Sequence, residues 1–258
     1  ILKIKSSDIL AVIPARFNST RLKGKPLKLI GDKPMIQHVY ERTIKTLKNV
    51  IVATDDDRIF NCINDFGGKV ILTTEDHENG TSRCLEAVNK YCDETHKEFK
   101  YIVNIQGDEP LIHEDHLNKL ILCFQDITTN FATVALQLSN QKYLPNGKVF
   151  LVKDKNNYAL YFSRNIIPFI EDNNSENIAD NIFFYQHIGI YGYRKEALEK
   201  FCNQEPSSLE KSEKLEQLRW LENGGKIKVG ITKKLSYPVD TIEDLNKVRK
   251  IYEKKHHI

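Results

Sequence analysis

The sequence predicts an α/β protein with a mostly parallel, helix-covered sheet and a mixed α/β extension. In the first half, short apolar segments alternate with segments of helical periodicity, which is typical of a parallel sheet covered by helices. In the second half, apolar segments follow one another without full helices between them. We therefore predict an α/β core over 1–130, an extension over 131–235 and a return to the core over 236–258.

The first half contains four apolar segments with strand character. They lie at 8–14, 49–55, 69–74 and 100–108. Helices are predicted to begin at Pro34, where proline suits the first helical position, and to cover 57–66, 80–92 and 114–124. Each helix follows a strand, so the connections are those of a parallel sheet.

The second half is organised differently. Strands are predicted at 131–138, 148–154, 158–164, 187–194 and 226–232, with a polar surface loop at 171–181. Ser207 and Glu210 have the spacing of a capping box, which predicts one helix continuing through Leu221 to the glycines at 224–225. Thr241 and Asp244 form a second such pair before a C-terminal helix.

Composition excludes several classes of partner. The net charge is only +3 over 258 residues, which argues against a nucleic-acid-binding protein. No apolar run approaches the ~20 residues needed to cross a bilayer, and the start lacks a signal-peptide pattern. The five cysteines contain no C-x-x-C pair, so we expect neither a disulfide framework nor a zinc site. We expect a reducing compartment, the cytoplasm.

Five cations crowd into the loop that follows the first strand, within "AVIPARFNSTRLKGKPLKLIG" at 11–31. They are Arg16, Arg21, Lys23, Lys25 and Lys28. Ligands of parallel α/β sheets bind at the carboxyl ends of the strands. Gly24 would let the backbone approach such a ligand, and Arg16, Arg21 and Lys25 could surround a polyphosphate.

Two known phosphate-binding motifs do not fit this loop. A Walker A loop would need glycine at position 19 and serine or threonine at 26, where the chain has Ser19 and Pro26. No G-x-G-x-x-G opens a helix either. A solvated basic surface loop remains the alternative interpretation, because runs of charge usually mark exposed faces.

Two aspartates follow extended segments in positions that suit a hard cation. Asp108 comes just after the apolar strand at 101–105, and Asp240 lies in "PVDT". Carboxylates at such positions can hold Mg²⁺ by one or two oxygens. Each also has a structural interpretation: Asp108 could start a turn before Pro110, and Asp240 could lie just outside a helix capped by Thr241.

Polar residues in the extension could contact sugar hydroxyls. His187 and Tyr191 are four residues apart in a predicted strand, and this even spacing places them on one face. The alternative is a half-buried strand with a histidine satisfied within the protein. The guanidinium of Arg164, which ends "YFSR", has a fork geometry that suits a carboxylate or a phosphate.

These segments together resemble one enzyme family over nearly the whole chain. The loop "IPARFNSTRLKGKPL" resembles the signature of 3-deoxy-manno-octulosonate (Kdo) cytidylyltransferases. Eight further blocks match in the same order: "KPMIQHVYERT", "IVATDD", "NGTSR", "VNIQGDEPLI", "YALYFSR", "HIGIYGYR", "KLEQLRWLENG" and "VDTIEDL". The departures are Lys23 for a frequent proline, Ser82 for a common acidic residue and Ile242 for a frequent proline.

The resemblance implies a Rossmann-like nucleotidyltransferase fold and an Mg²⁺-dependent homodimer. The implied enzyme transfers the cytidylyl group of CTP to the anomeric hydroxyl of Kdo, giving CMP-Kdo and pyrophosphate for lipopolysaccharide or capsule synthesis. The extension would carry the sugar-binding and dimer-contact elements. The implied magnesium ligands are Asp108 and Asp240, which act in catalysis with Lys25 and Arg16.

The resemblance also assigns the binding residues. The implied nucleotide-binding residues are Pro14, Ala15, Arg16, Arg21, Lys25, Thr81, Arg83 and Gln106. The implied sugar-acid-binding residues are Arg164, His187, Tyr191, Glu216 and Gln217.

Other functions stay open at this point. The acceptor could be another sugar acid, such as 8-amino-Kdo or sialic acid. A nucleotide-sugar glycosyltransferase would need a D-x-D metal pair, and Asp55 and Asp57 have that spacing. A non-catalytic nucleotide-binding module would bind CTP but release no pyrophosphate.

Overall fold

The computed structural model describes residues 4–19, 21–74, 77, 79–138, 144–145, 147–170 and 183–256. Its strands are β1 (Ile9–Pro14), β2 (Leu29–Ile30), β3 (Lys33–Pro34), β4 (Val50–Thr54), β5 (Val70–Leu72), β6 (Tyr101–Ile105), β7 (Phe131–Leu138), β8 (Phe150–Lys153), β9 (Ala159–Ser163), β10 (Phe184–Arg194) and β11 (Ile227–Thr232). Its helices are α1 (Met35–Ile44), α2 (Asp57–Asp65), α3 (Gly80–Thr95), α4 (Glu114–Leu122), α5 (Lys195–Cys202), α6 (Ser208–Glu213), α7 (Gln217–Glu222) and α8 (Ile242–His256).

The chain divides into two compact units. The first unit comprises 4–114 and 236–258, and the second unit comprises 115–235. The sequence analysis proposed boundaries after 130 and after 235. In the division into compact units, α4 after its first residue belongs to the second unit.

The first unit contains a parallel sheet in the strand order β6-β1-β4-β5. Strand β1 is buried along its whole length, as expected of a strand covered by helices on both faces. The predicted parallel, helix-covered sheet is therefore confirmed here. Since the strands run the same way, the loops after β1, β4 and β6 leave from one edge of the sheet.

The loop after β1 is folded against the start of α2. Gly24 has a φ of +65°, and its N–H donates to the carbonyl of Phe17 over 3.0 Å. A Cβ on Gly24 would lie 3.0 Å from the Phe17 ring, so the ring fills the space that glycine leaves. The Arg58 guanidinium lies 3.3 Å from the centroid of the same ring and is held by two bonds to Asp56, at 3.0 and 2.6 Å.

The C-terminal segment, 236–258, packs on the rest of the first unit through a hydrophobic cluster. This cluster contains Leu22, Ile30, Met35, Leu111, Val239, Leu245 and Val248. The Val239 N–H donates to the Asp108 carbonyl over 2.9 Å, which fixes the segment beside the end of β6. The predicted capping pair is confirmed, because Asp244 N–H donates to Thr241 Oγ1 and Thr241 N–H donates to Asp244 Oδ2.

The second unit contains a mixed sheet, as predicted. Strand β11 is parallel to β7, and β7 is antiparallel to β10. The β8–β9 hairpin joins β10 through β8. The register between β7 and β10 shifts between Ile188 and Tyr191, so β10 carries a bulge.

One predicted helix is wrong in extent. The capping box of Ser207 and Glu210 is present, but α6 ends where Lys214 takes a left-handed φ of +51°, and α7 begins separately. Lysine is not a usual residue for that conformation, so the sequence carries no signal for the break. The predicted loop at 171–181 lies outside the described residues. None of the helices in the described ranges has the length and apolar character needed to cross a membrane.

Candidate active site

A cavity of about 350 Å³ lies in the first unit at the carboxyl edge of its parallel sheet. It is lined by the loops after β1, β5 and β6, by the start of α3 and by the residue before the Thr241 cap. The lining residues are Pro14, Ala15, Arg16, Ser19, Arg21, Lys25, Pro26, His77, Asn79, Gly80, Arg83, Gln106, Gly107, Asp108 and Asp240. This is the edge at which open α/β sheets bind ligands.

A lysine shared by two carboxylates forms the charged centre of this cavity. Lys25 Nζ lies 2.6 Å from Asp108 Oδ2 and 3.3 Å from Asp240 Oδ1. Arg21 Nη2 lies 3.1 Å from the same Asp240 oxygen. The structure therefore brings the basic loop and both aspartates to one place, with two positive and two negative charges in contact.

Backbone geometry puts these side chains in place. Lys25 opens a single 3₁₀ turn, Lys25–Leu27, directly after the left-handed Gly24. Asp108 follows Gly107, where an added Cβ would lie 2.9 Å from the Pro14 carbonyl oxygen. Only glycine lets the end of β6 approach the end of β1 this closely, because any larger residue would collide with backbone.

The five cations of the loop divide into two groups. Arg16, Arg21 and Lys25 line the cavity. Lys23 and Lys28 are exposed and lie outside its lining. The solvated-surface interpretation therefore describes those two lysines, whereas the other three face the cavity.

The opposite wall is formed by the start of α3. Asn79 caps this helix, its Oδ1 accepting from the N–H groups of Thr81 and Ser82 at 3.1 and 2.9 Å. His77 lies between Ser82 Oγ, at 3.1 Å from its Nδ1, and the Glu86 carboxylate, which contacts its Nε2. Ser82, a departure from the family pattern, thus has a hydrogen-bond partner in the cavity wall.

The Glu86 carboxylate behind this wall is ionised at neutral pH. Burial raises its pKa, but hydrogen bonds from Lys90, His77 and Thr74 outweigh burial and bring the pKa to about 2. The charged carboxylate therefore fixes the position of His77 through its contact with Nε2.

Two residues assigned to the nucleotide are themselves buried and have polar partners within the protein. Arg83 is buried and donates to Asp55 Oδ2 over 2.7 Å and to Thr73 Oγ1 over 2.6 Å. Thr81 is buried, and its hydroxyl accepts from Asn104 Nδ2 over 3.3 Å. Since Asp55 is engaged by Arg83 and Asp57 is exposed at the start of α2, the D-x-D pair of a glycosyltransferase does not form.

A second polar cluster, formed by His187, Tyr191 and Gln217, lies in the second unit. The Tyr191 hydroxyl donates to Gln217 Oε1 over 3.1 Å, and the rings of His187 and Tyr191 are 5.4 Å apart. Burial raises the pKa of Tyr191 well above its usual value, with a contribution from the charge of Glu216, and lowers the pKa of His187 to about 3. Both side chains are therefore neutral near pH 7.

The β10 bulge explains why these rings touch. Residues four apart in a regular strand are separated by roughly 13 Å. Here Ile188 pairs with Val134 and Tyr191 with Thr133, so β10 advances three residues while β7 advances one. The sequence correctly indicated one face but missed the contact. Gly189 inside the strand is the signal that could have revealed the bulge.

The remaining two candidates lie near the junction of α6 and α7. The Arg164 guanidinium donates from Nε to the Glu213 carbonyl over 2.7 Å and from Nη2 to the Lys214 carbonyl over 3.1 Å. It therefore caps the end of α6, a role that the sequence analysis did not foresee. Glu216 is half-buried and directly precedes Gln217 at the start of α7.

Sequence reasoning also missed residues that line the cavity. Ser19, Pro26, His77, Asn79 and Gly107 were not named as site residues. Asn79 was detectable, since asparagine directly before a helix is a capping signal. His77 was not, because a lone histidine between strand and helix carries no pattern.

Comparison with known proteins places the chain among cytidylyltransferases. A family model described as "Cytidylyltransferase" matches residues 10–229. The 3-deoxy-manno-octulosonate cytidylyltransferase of Parabacteroides distasonis is 45% identical over 244 residues, covering 92% of this chain and 95% of its own. The 3-deoxy-manno-octulosonate cytidylyltransferase of Bacteroides thetaiotaomicron is 46% identical over 240 residues, which cover 92% of this chain and 94% of that relative. A solved structure of a CMP:2-keto-3-deoxy-manno-octonic acid synthetase in complex with CTP superposes on this chain with a TM-score of 0.85 at 37% identity. The match covers 96% of this chain and 99% of that structure's chain.

Proposed function

The chain belongs to the 3-deoxy-manno-octulosonate cytidylyltransferase family, and we propose here how its residues perform that family's reaction. The enzyme transfers the cytidylyl group of CTP to Kdo, giving CMP-Kdo and pyrophosphate, and this activated sugar serves lipopolysaccharide synthesis. One observation carries the residue assignments: Lys25 is shared by Asp108 and Asp240 in the cavity. A triphosphate accompanied by a divalent cation needs both signs of charge at one place.

The donor set fits Mg²⁺. Asp108 Oδ2 and Asp240 Oδ1 both reach one ammonium group, so both carboxylates can approach a single cation. Mg²⁺ is commonly held by one or two carboxylates together with substrate phosphates and water. We assign these two residues as the magnesium ligands. When bound there, the ion would neutralise phosphate charge and lower the pKa of the attacking hydroxyl.

The basic loop is assigned to the triphosphate. Arg21 and Lys25 exchange the carboxylates for phosphate oxygens when CTP enters, and the exposed Arg16 joins them. These cations hold the β- and γ-phosphates in line and stabilise the charge that develops on the departing pyrophosphate. The anomeric oxygen forms the new bond to the α-phosphorus as the bond to pyrophosphate breaks, and the hydroxyl proton passes to solvent. No covalent enzyme intermediate is needed.

The nucleoside is assigned to the α3 side of the cavity. Backbone groups of Pro14, Ala15 and the start of α3 supply donors and acceptors for cytosine. Gln106 and Arg83 line the same cavity, and we assign them to nucleotide binding as well. Thr81 supports the wall from beneath, since its hydroxyl contacts Asn104.

The sugar acid is assigned to the second polar cluster. Gln217 is 1% exposed, and within the described part of the chain its Nε2 has no hydrogen-bond partner. A buried donor without a partner is costly, which favours a ligand oxygen at this position. His187, Tyr191 and Glu216 complete the assignment. Arg164 caps α6 through Nε and Nη2, and its Nη1, which has no hydrogen-bond partner among the described residues, is assigned to a carboxylate.

We infer a homodimer formed through the second unit. Strand β9 carries Leu160, which is 62% exposed, and Phe169 beyond it is 86% exposed. Apolar side chains presented in this way favour a second copy as the partner. A Leu160→Glu variant should lower the molar mass measured by light scattering, and an unchanged dimer mass would exclude this face.

We also place the enzyme in the cytoplasm, without nucleic-acid partners. The five cysteines form no disulfide with one another, as a reducing compartment allows. The net charge of +3 gives little attraction for nucleic acid.

The direct test is pyrophosphate release by the purified enzyme with CTP and Mg²⁺. Kdo, 8-amino-Kdo and sialic acid are compared as acceptors at equal concentration. We expect the highest kcat/KM with Kdo. Release of pyrophosphate only with another acid would reassign the acceptor, and release with none would leave a nucleotide-binding module.

A further inference from the structure

A buried threonine in β7 contacts the histidine of the sugar-acid cluster. Thr133 is fully buried, and its Oγ1 lies 2.9 Å from His187 Nε2. The same oxygen lies 2.8 Å from the Ile190 carbonyl and 3.5 Å from the Ile188 carbonyl. Thr133 therefore touches both the bulge of β10 and the imidazole that the bulge presents.

Counting protons fixes the direction of each bond. A threonine hydroxyl has one proton to donate, and a backbone carbonyl can only accept. Two oxygens 2.8 Å apart repel each other unless a proton lies between them, so we assign the Thr133 proton to the bond to Ile190, and its oxygen then accepts from His187. The proton of His187 must then be on Nε2. Since burial lowers the pKa of His187 to about 3, the ring is neutral near pH 7, and Nδ1 is an acceptor that has no hydrogen-bond partner among the described residues.

The neighbouring amide presents the complementary group. The Tyr191 hydroxyl donates to Gln217 Oε1, which turns Nε2 of the same amide away from Tyr191 as a donor. That donor has no partner among the described residues. The cluster thus offers one acceptor, on His187, and one donor, on Gln217.

We propose that Thr133 is a positioning residue that fixes His187 in its Nε2–H tautomer, so that the cluster presents an acceptor and a donor to hydroxyls of the acceptor sugar. The identity of that ligand rests on the proposed function. The tautomer does not, because it follows from contacts within the protein alone. Thr133 also ties the Ile190 carbonyl, so it holds the bulge and the ring together.

The test combines ¹⁵N NMR of labelled histidine with steady-state kinetics. Thr133→Val removes the hydroxyl while keeping the shape, and Thr133→Ser keeps the hydroxyl as the matched control. We expect the Nε2–H tautomer in wild type and in Thr133→Ser at about pH 7.5, and a mixture of tautomers in Thr133→Val. We expect KM for Kdo to rise roughly tenfold in Thr133→Val only, with KM for CTP unchanged.

Two results would overturn the proposal. One is a wild-type His187 with its proton on Nδ1, or a charged ring at about pH 7.5. The other is a folded Thr133→Val enzyme whose KM for Kdo equals that of wild type. Should Thr133→Val fail to fold, the wild-type spectrum still decides the tautomer. Failure of the proposed function would appear separately, as wild-type enzyme that releases no pyrophosphate with Kdo while the spectrum is unaffected.

Discussion

The two polar clusters of this protein are built on opposite principles. In the first unit, Lys25 and Arg21 face Asp108 and Asp240, and every group in the cluster is charged. In the second unit, His187, Tyr191 and Gln217 are neutral near pH 7, with pKa values displaced by burial for the first two. Side chains in ion pairs can leave one another and bind a charged ligand. Neutral donors and acceptors instead form hydrogen bonds that depend on where the hydroxyls of a ligand lie.

Exposure follows the same division. The Arg21 and Asp240 side chains are 65% and 39% exposed, so their contact is screened by water and contributes little to stability. Gln217 is almost fully buried, and its bond to Tyr191 is protected from solvent. We infer that the first cluster is poised to rearrange on binding, and that the second is preorganised. The predictions below test this difference, from the largest expected effect to the smallest.

The strongest effect should come from Asp108→Asn. The substitution keeps the shape of the side chain but removes a carboxylate assigned to Mg²⁺, so we expect kcat to fall by at least ~100-fold. Pyrophosphate release at saturating CTP and Kdo measures this. Asp57→Asn, which changes an exposed carboxylate outside the cavity, is the control. Turnover close to wild type would remove Asp108 from the mechanism.

Lys25→Ala should act on the nucleotide and spare the sugar. The change removes the cation shared by Asp108 and Asp240, leaving Asp240 with Arg21 alone, and it removes a phosphate donor, so KM for CTP should rise by roughly 30-fold or more. KM for Kdo should change little. Lys28→Ala, an exposed cation of the same loop outside the cavity lining, should behave like wild type. Equal KM values for CTP in both variants would favour the alternative interpretation, that the loop is a solvated surface without a role in binding.

Arg58→Ala should have a smaller effect on the same substrate. Arg58 does not line the cavity, but it covers the Phe17 ring that packs on Gly24 in the basic loop. Losing a cation–π contact of this kind should raise KM for CTP by about 2- to 10-fold. The exposed Lys48 offers a matched control in Lys48→Ala. If both variants match wild type, the loop needs no support from α2.

The smallest effect concerns the pH dependence of stability. Burial lowers the pKa of His187 from its usual 6.5 to about 3, so the unfolded chain binds a proton between these values while the folded protein does not. The contribution of this group is complete above pH 6.5 and is lost as pH falls towards 3. Between about pH 7.5 and 5.5 the loss should be about 1 kcal/mol. Urea unfolding at both pH values should show this loss in wild type and a smaller one in His187→Asn. An equal loss in both proteins would mean that His187 is not neutral when folded.

Local patterns in the sequence were sufficient for much of the fold. The alternation of apolar and helical segments predicted the parallel sheet, because each strand–helix repeat depends only on nearby residues. Both capping boxes formed as expected, since the paired residues are three apart. The five cations after β1 marked the carboxyl edge of the sheet, and Asp108 was identified by its place after a buried strand.

Contacts between distant residues could not be deduced in this way. Lys25 and Asp240 are separated by 215 positions, and they meet only because the C-terminal segment packs on Leu22, Met35 and Leu111. Packing also decided that Arg164 caps α6 and that Lys214 interrupts the predicted helix.

The sequence by itself determined most of the strands and helices, and which residue types stand at the ends of the strands. Tertiary structure alone decided which of those residues share a partner: Lys25 between two aspartates, and Thr133 between a bulge and a histidine. The physical reason is range. Periodicity and capping act within one or two turns of chain, whereas ion pairs and bulge registers depend on how whole elements pack.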